Sequence, residues 1–323
     1  MTALASITRK LRLPVIGAPM FMVSGPELVI AQCRAGIVGT FPALNARPHS
    51  ELTHWLDRIE MTLEATPEQT GACSSTIAPY GVNIIIHPSN SRWEADLDVC
   101  ISHRVPLIVT SMHAPHRVVP RVHAYGGVVL HDIRTVRQAQ KALEAGVDGL
   151  VLVGTGAGGH GGHFNPIALI NEIRAFYDGP LALAGCIGHG KDILAARAMG
   201  CDLAYIGTRF IATLESLASD RYRRMVMDSD GSQIFSTPYF TGIAANYLAG
   251  SIDAAGVDIE LLRNALPTTP INLDRTRPKI WRDVWSAGQG VGLVQEELSV
   301  AQLVDQLVDE YDTARKVLLA DTA

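Results

Sequence analysis

The sequence has little of what marks several large classes of protein. Its five cysteines form no C-x-x-C pair, and an odd number cannot all pair within the chain, so neither a disulfide framework nor a structural zinc cluster is expected. No run of about 18 apolar residues is present, which argues against a transmembrane helix. The basic residues near the start are not followed by the apolar run of a secretory signal. We therefore predict a protein of the reducing cytoplasm.

Charge is also scarce and nearly balanced. Charged residues make up 18% of the chain, with 27 basic against 32 acidic residues, and no more than two basic residues are adjacent. A nucleic-acid-binding surface is therefore not expected. Hydrophobic residues make up 47%, so the chain can bury a large core and extensive disorder is excluded. Its 323 residues give room for one large α/β domain with an appendage, or for two ordinary domains.

Several signatures of catalysis are missing. The chain has no Walker A motif, no H-E-x-x-H, no G-x-S-x-G, and no G-x-G-x-x-G between its first strand and a helix. His160 and His163 have a spacing that metal ligands can use, but no nearby carboxylate completes a set. No metal site is therefore predicted.

What is present is a regular alternation of short aliphatic runs and amphipathic segments. The runs are rich in Val, Ile and Leu without polar alternation, which is typical of strands buried on both faces of a parallel sheet. Eight such units predict an α/β fold, a (β/α)8 TIM barrel, with a doubly wound open sheet as the alternative. The predicted strands are residues 15–18, 37–40, 81–86, 107–110, 127–131, 149–153, 181–184 and 203–206.

The alternation stops after the eighth predicted strand. Residues 215–280 are mostly polar with helical patterns and no clear strand, so we predict a helical lid or substrate domain over the barrel mouth. Residues 1–214 and 281–323 would then form the barrel. The amphipathic segment 300–319 is predicted to be the last helix of the barrel.

The loop after the sixth strand carries the candidate catalytic residue. Residues 154–163 read G-T-G-A-G-G-H-G-G-H, so His160 stands in a glycine-rich loop directly after a buried strand. Active sites of barrels lie at the carboxyl ends of the strands, and glycines let a backbone approach a ligand closely. We therefore predict that His160 is functional.

The loops after the seventh and eighth strands resemble a phosphate site. Glycines at 185, 188 and 190 follow one strand, and Gly207 and Thr208 follow the next. In barrels these two loops often bind phosphate through backbone N–H groups. Together they predict a cofactor that carries a phosphate.

These segments resemble the nitronate monooxygenase family, formerly called 2-nitropropane dioxygenases. That family belongs to a superfamily of FMN-dependent barrels with enoyl-acyl carrier protein reductase II and NADH:quinone reductases. The combination of A-G-G-H and G-T-R-F is specific for the superfamily but does not separate its members. The matching segments are P-V-I-G-A-P-M (14–20), G-V-N-I (81–84), A-G-V-D-G (145–149), A-G-G-H-G-G (157–162), A-G (184–185), G-T-R-F (207–210), A-A-N-Y-L (244–248) and A-G-Q-G (287–290).

The resemblance implies an FMN cofactor and a role for each matching residue. His160 would stand over the flavin as an acid/base or orienting group. The phosphate would be held by the glycine-rich loops, and the ring would meet the loop after the first strand, with Asn83 and Gln289 as further contacts. The implied cofactor-binding residues are Ala18, Pro19, Met20, Asn83, Gly159, Gly185, Cys186, Gly207, Thr208 and Gln289.

Two departures from the family pattern concern this site. Where the family often has a Lys after the fifth strand, this chain has Asp132, which cannot neutralise a phosphate or a negatively charged reduced flavin; His131 or Arg134 could substitute. Cys186 replaces the second glycine of the usual A-G-G. Its backbone N–H can serve as well if its φ is negative, and we expect a small buried residue there rather than a redox group.

The resemblance implies the oxidation of an alkyl nitronate or nitroalkane with O2 to a carbonyl compound and nitrite. His160 would remove the α-proton of a neutral nitroalkane, and the lid residues Tyr239, Phe240 and Tyr247 are candidates for the pocket wall, or for packing within the lid. The alternatives are an NAD(P)H-dependent reductase of a quinone or enoyl thioester, a non-catalytic FMN module, and a phosphate-binding barrel without flavin. The sequence leaves the oligomeric state open, with a homodimer as one candidate.

Overall fold

The computed structural model describes residues 7–9, 11–64, 77–264 and 280–320. Eight parallel strands form a barrel, and each of them was predicted from the sequence. From the second strand to the eighth, each pairs with the next in chain order, and the first pairs with the eighth. The Gly17 amide donates to the Val38 carbonyl at 2.7 Å, which joins the first strand to the second and closes the ring. The strands are β1 (Val15–Gly17), β2 (Gly39–Pro42), β3 (Tyr80–Ile86), β4 (Leu107–Met112), β5 (Val128–Ile133), β6 (Gly149–Val153), β7 (Leu181–Ala184) and β8 (Leu203–Ile206).

The two faces of the barrel bury separate apolar clusters. Inward-facing side chains such as Val109, Leu130 and Val151 fill the interior, while the outward-facing ones pack under the helices. Burial on both sides explains why the strands are almost uniformly aliphatic. Because side chains alternate along a strand, the inner row also determines which side chains emerge at the carboxyl end.

The helices lie outside the barrel and above its carboxyl end. As the alternation predicts, a helix follows each of the eight strands. The helices are α1 (Pro26–Arg34), α2 (Glu51–Glu64), α3 (Trp93–Ser102), α4 (Val119–His123), α5 (Val136–Glu144), α6 (Pro166–Arg174), α7 (Gly190–Ala198), α8 (Thr208–Ile211), α9 (Asp220–Met227), α10 (Ala249–Ala254), α11 (Ile259–Asn264) and α12 (Val300–Ala320), with short 3-10 turns at Ala43–Asn45, Gly231–Gln233 and Gln289–Leu293.

The terminal helix α12 packs against the barrel, as predicted. Glu310 Oε2 accepts the Gly190 amide at 2.7 Å, and Tyr311 accepts a hydrogen bond from Arg197 at 2.8 Å. Both contacts tie α12 to α7, next to the loop after β7. None of the helices that the structure describes combines the length and apolarity needed to cross a bilayer.

The prediction of a lid without strands was wrong. Strands β9 (Ile234–Thr237) and β10 (Ala245–Leu248) form an antiparallel pair between α9 and α10. Neither run is long or apolar enough to predict a strand alone. Each forms a strand because it hydrogen-bonds to the other. Tyr247 is fully buried in a separate apolar cluster of the lid. Residues 265–279 of the predicted lid lie outside the described residues.

Candidate active site

A cavity of about 870 Å³ lies at the carboxyl ends of the strands, beneath the lid. Its volume is in the range of small-molecule and cofactor sites, and its position is the one at which barrels carry their active sites. Backbone loops after β1, β6, β7 and β8 form one part of its wall. Side chains at the ends of β3, β4 and β5 form another.

The glycines of the loop after β6 serve mainly to let backbone segments touch. A methyl group added at Gly158 would lie 3.0 Å from the backbone of residues 287 and 288, and one at Gly288 would lie 2.7 Å from the Gly156 carbonyl. The Gln289 amide donates to that same carbonyl at 2.8 Å. These glycines therefore join the loop to the closing segment, a use that differs from the predicted approach to a ligand.

Gly207 is different, because it borders open space. A methyl group added there would meet only Ala18 Cβ at 3.4 Å and Met20 at 3.5 Å or more, which are ordinary contacts. Both neighbours line the cavity, as do Gly185 and Thr208. The loops after β7 and β8 thus bring together backbone surface that faces the cavity. Thr208 Oγ1 also accepts the Gly288 amide at 2.9 Å, which fixes the closing segment.

Cys186 does not meet either expectation made for it. Its φ is +57°, in the left-handed region that favours glycine, so the condition of a negative φ fails. Its side chain is exposed and lines the cavity rather than being buried. Desolvation raises the pKa of its thiol, which keeps the thiol in its neutral, weakly nucleophilic form. The backbone at this position therefore retains the shape that a glycine would allow.

The loop after β1 is fixed mainly by the side chain of Asn45. Asn45 Nδ2 donates to the carbonyls of Met20 and Ser24 at 2.9 and 2.8 Å, while its Oδ1 accepts the Met22 amide at 2.9 Å. The Met20 amide in turn donates to Ser24 Oγ at 2.9 Å. The backbone polar groups of Met20 are therefore used within the loop. Ala18, Pro19 and Met20 all line the cavity, where Met20 offers its side chain.

His160 lies at the top of the cavity in a defined hydrogen-bonded state. Its Nε2 is 3.0 Å from Thr241 Oγ1, and that hydroxyl donates its one proton to the Ile243 carbonyl at 2.8 Å. This arrangement makes Nε2 the donor to Thr241 and assigns the lone pair of the neutral ring to Nδ1. Desolvation lowers the pKa of His160, and the Arg134 guanidinium lowers it further. The imidazole is therefore neutral at pH 7 and able to accept a proton.

The lid holds the loop that carries His160. The Asn246 amide on β10 donates to the Gly159 carbonyl at 2.8 Å, and Asn246 Nδ2 donates to the Ala157 carbonyl at 2.7 Å. Asn246 is buried, so water does not compete for these bonds. The position of the histidine is therefore set jointly by the barrel and the lid. Gly159, the predicted cofactor contact, lines the cavity at this junction.

A directional chain of hydrogen bonds crosses the floor of the cavity. Asn83 Nδ2 donates to the Val109 carbonyl at 3.1 Å and to Ser111 Oγ at 2.8 Å. The Ser111 hydroxyl donates onward to Asp132 Oδ2 at 2.7 Å. Both amide protons of Asn83 are thus used, and only its carbonyl oxygen remains for a ligand. Any contact of Asn83 with a cofactor would therefore be to an N–H group.

Two buried oxygens on this floor have no hydrogen-bond partner in the described part of the chain: Asp132 Oδ1 and the Tyr205 hydroxyl. Both residues line the cavity, and Tyr205 is only 7% exposed. Burial raises the pKa of Asp132 to about 6, although the Ser111 hydrogen bond and Arg134 oppose this. Burial also raises the pKa of Tyr205 far above its usual value. Such atoms are costly unless a ligand satisfies them.

Of the two candidate substitutes for the family Lys, only Arg134 faces the cavity. Its guanidinium has no hydrogen-bond or ion-pair partner among the residues that the structure describes. His131 is buried, with Nδ1 2.8 Å from Thr110 Oγ1, and it does not line the cavity. Desolvation lowers its pKa to about 4, so it is uncharged at pH 7.

The aromatic wall comes from residues that sequence reasoning missed. Tyr239, Phe240 and Tyr247 pack edge-on against one another within the lid and do not line the cavity. Trp281 lines it instead, 6.0 Å from the His160 ring and 6.3 Å from the Phe21 ring. Packing within the lid, the alternative considered for the three aromatic residues, is what the structure has.

Gln289 is the one predicted cofactor residue that does not line the cavity. It is exposed, and its neighbours Gly288 and Gly290 line the wall in its place. Metal-ligand types gather elsewhere: in the described residues Asp57, Glu60 and His103 lie together outside the cavity. Glu60 there already accepts hydrogen bonds from Tyr80 and His103.

Comparison with known proteins identifies related chains. The family model described as nitronate monooxygenase matches residues 3–310. A nitronate monooxygenase of Paraburkholderia phytofirmans is 28% identical and covers 92% of both chains. A structure of nitroalkane oxidase from Streptomyces ansochromogenes is 25% identical with a TM-score of 0.77, covering 98% of this chain and all of its own. FabK from Thermotoga maritima, at 22% identity and a TM-score of 0.78 over 99% of both chains, shares the fold.

Proposed function

The chain belongs to the nitronate monooxygenase family, and we propose that this oxidoreductase binds FMN and oxidises alkyl nitronates with O2 to a carbonyl compound and nitrite. The observation that carries the proposal is His160: a neutral imidazole with a free Nδ1, fixed at the top of a cavity that fits a cofactor and a small substrate. Such a group can remove the α-proton of a nitroalkane, which generates the nitronate that would then be oxidised.

The residues of the cavity suit FMN. The loops after β7 and β8 offer backbone surface at Gly185 and Gly207, which can hold one phosphate, while the orphaned Asp132 and Tyr205 oxygens offer hydrogen bonds to a polar ring. Ala18, Pro19 and Met20 would lie against the ring. When bound, FMN supplies the redox chemistry, because it can take electrons from the substrate and pass them to O2.

The chain itself would bind the substrate and handle its proton. Arg134 is a cation in the cavity, close enough to His160 to lower its pKa, so it can hold the negatively charged oxygens of a nitronate. With a neutral nitroalkane, His160 Nδ1 would take the α-proton and Thr241 would keep the ring oriented. Trp281 and the lid would exclude water from the reacting carbon.

The decisive experiment is anaerobic mixing of the purified yellow protein with propionate 3-nitronate, NADH and NADPH in separate runs, with the visible absorbance of the flavin as the readout. Bleaching by the nitronate alone, followed by nitrite release when O2 is admitted, is the expected result. Rapid bleaching by NADH or NADPH, with none by the nitronate, would favour the reductase alternative. A colourless protein that binds no added flavin would overturn both.

The identity of the cofactor can be tested separately. We expect heat to release FMN and not FAD, because the two loops form one monophosphate cradle and no dinucleotide fingerprint is present. Chromatography of the released flavin distinguishes the two, and FAD as the main species would contradict the proposal.

A further inference from the structure

The hydrogen bonds on the floor of the cavity have a direction that indicates where Asp132 can carry a proton. The chain runs from Asn83 Nδ2 to Ser111 Oγ and on to Asp132 Oδ2. Ser111 Oγ accepts from Asn83 and donates its own proton to Asp132 Oδ2, so in this arrangement Oδ2 is an acceptor. If Asp132 carries a proton, that proton is therefore on Oδ1.

Asp132 Oδ1 is buried, has no partner in the described residues, and belongs to a side chain that lines the cavity. The Tyr205 hydroxyl on β8 is also buried and has no partner in the described residues. A hydroxyl and a protonated carboxyl are both donors with no charge. If Asp132 carries its proton, a ligand that takes both protons into hydrogen bonds must offer acceptors, such as carbonyl oxygens or imine nitrogens of a heteroaromatic ring.

The groups around Asp132 leave its charge poorly compensated. Ser111 on β4 donates one hydrogen bond, Tyr205 on β8 brings a neutral hydroxyl, and the neighbouring part of β6 is apolar. Arg134 favours the ionised form from a distance, and His131 on the same strand is neutral and hydrogen-bonded elsewhere. A ring that covers the floor removes the remaining water and penalises the ionised form further.

We propose that Asp132 binds the flavin ring as a neutral carboxylic acid, with its proton on Oδ1 donated to an acceptor of the ring. At the position where the family often has a Lys, this chain would therefore supply an uncharged hydrogen-bond donor. The inference rests on the proposed function, because it needs FMN in this cavity. It has a direct thermodynamic consequence: where free Asp132 is ionised, binding must take up one proton from solvent.

The test measures protons and affinity, not turnover. Apoprotein is titrated with FMN by calorimetry in two buffers of different ionisation enthalpy at about pH 8, where the phosphate, with a second pKa of about 6, is already a dianion. We expect uptake of close to one proton by the wild type and none by Asp132→Asn, whose amide can donate without titrating. Above the pKa of free Asp132, wild-type affinity should fall about tenfold per pH unit relative to that of the variant.

Tyr205→Phe is the matched control, because it removes the other donor of the floor without removing a group that titrates near neutral pH. It should weaken FMN binding several-fold and leave proton uptake unchanged. Equal proton uptake by the wild type and Asp132→Asn would overturn the inference while leaving FMN binding intact. If no variant binds FMN and the wild type does not either, the proposed function fails instead.

A further measurement needs no variant and so does not depend on how Asp132→Asn folds. Riboflavin lacks the phosphate, so its affinity for the wild-type apoprotein reports the floor alone. We expect that affinity to fall as pH rises above the pKa of Asp132. A riboflavin affinity that is constant across this range would also overturn the inference.

Discussion

The two sides of the cavity are built from different materials. The loops after β7 and β8 present mainly backbone, with glycines at 185 and 207, whereas the ends of β3, β4 and β5 present Asn83, Ser111 and Asp132 in one hydrogen-bonded chain. The peptide groups of the backbone side can approach a phosphate closely but do not titrate. The side-chain side can distinguish donors from acceptors and can hold a proton. The backbone loops therefore determine the shape of the cavity, and the side chains of Asn83, Ser111 and Asp132 determine where it can donate or accept a proton.

The largest effect is expected on the backbone side. Gly207→Asp should leave the protein largely without FMN but folded, since the new side chain enters open space next to Ala18 and Met20 and places a carboxylate near the phosphate. Released flavin per chain and the circular dichroism spectrum measure the two results.

Gly207→Ala separates size from charge at the same position. Its methyl group makes only ordinary contacts, so it should keep most of the FMN. Full FMN content in Gly207→Asp would mean that the phosphate is bound elsewhere.

The next largest effect concerns His160, which lies under the lid. His160→Asn should reduce turnover of a neutral nitroalkane by a factor of about 10² to 10⁴, because the proposed general base is lost. The loss with a preformed nitronate should be much smaller, and FMN content should stay near that of the wild type. The pH profile with the nitroalkane should fall on the acid side below the usual His pKa, because burial lowers the pKa of His160.

His163→Asn is the control for this prediction. His163 lies in the same loop but is exposed and does not line the cavity. Equal losses on both substrate forms would assign His160 to binding or electrostatics, and no loss on either would make it an ordinary loop residue.

The lowered pKa of His131, next to Asp132 on β5, can be tested without any ligand through the pH dependence of stability. His131 has a folded-state pKa of about 4, against 6.5 when unfolded, so the unfolded chain binds more protons between these values. The free energy of unfolding should therefore fall by up to about 3 kcal/mol from this residue as pH decreases from 6.5 to 4. His131→Asn should remove that dependence, measured by denaturant titration across the range.

The neighbouring Asp132 should act in the opposite direction. Its pKa is raised on folding, so its contribution to stability is present at low pH and is lost as pH rises through about 6. Asp132→Asn should therefore make acid destabilisation steeper. His116→Asn, at an exposed site, serves as the control, and a profile that is the same in all variants would refute both assignments.

The smallest effect is expected at Thr241. Thr241→Val removes the acceptor that fixes the His160 tautomer, a hydrogen bond with a net value of about 1 kcal/mol. Turnover of the nitroalkane should fall roughly 2- to 10-fold with FMN content unchanged. A loss as large as that of His160→Asn would mean that Thr241 contacts the substrate itself.

The contrast between the two sides also explains what could be predicted from the sequence. The barrel was predictable because strands buried on both faces are uniformly aliphatic, and the loops because glycine clusters follow them directly. Ser111 and Tyr205 were missed because they read as ordinary ends of apolar strands. Their importance follows from the alternation of side chains along a strand. Val109 and Leu203 face the barrel interior, so Ser111 and Tyr205, two positions later on the same face, reach the cavity.

Elsewhere the prediction failed where long-range contacts decide. The β9–β10 pair forms because each strand supplies the other's hydrogen bonds, which no local pattern reveals. Trp281 was not considered because its place next to His160 depends on how the chain returns from the lid. Gln289 was assigned to the cavity from its motif, yet its side chain is exposed and lies beside Gly156, to whose carbonyl its backbone amide donates.

The two hydrogen bonds from Asn246 to the loop before His160 have a consequence for protein engineering. A lid grafted from a relative would not be matched to the loop after β6 of this chain. The two hydrogen bonds that position His160 would then be disturbed. The exchangeable module is therefore the loop after β6 together with the β9–β10 hairpin, although some 70 residues separate them in the chain. Chimaeras that swap both segments as one cassette should keep the geometry that single-segment swaps disturb.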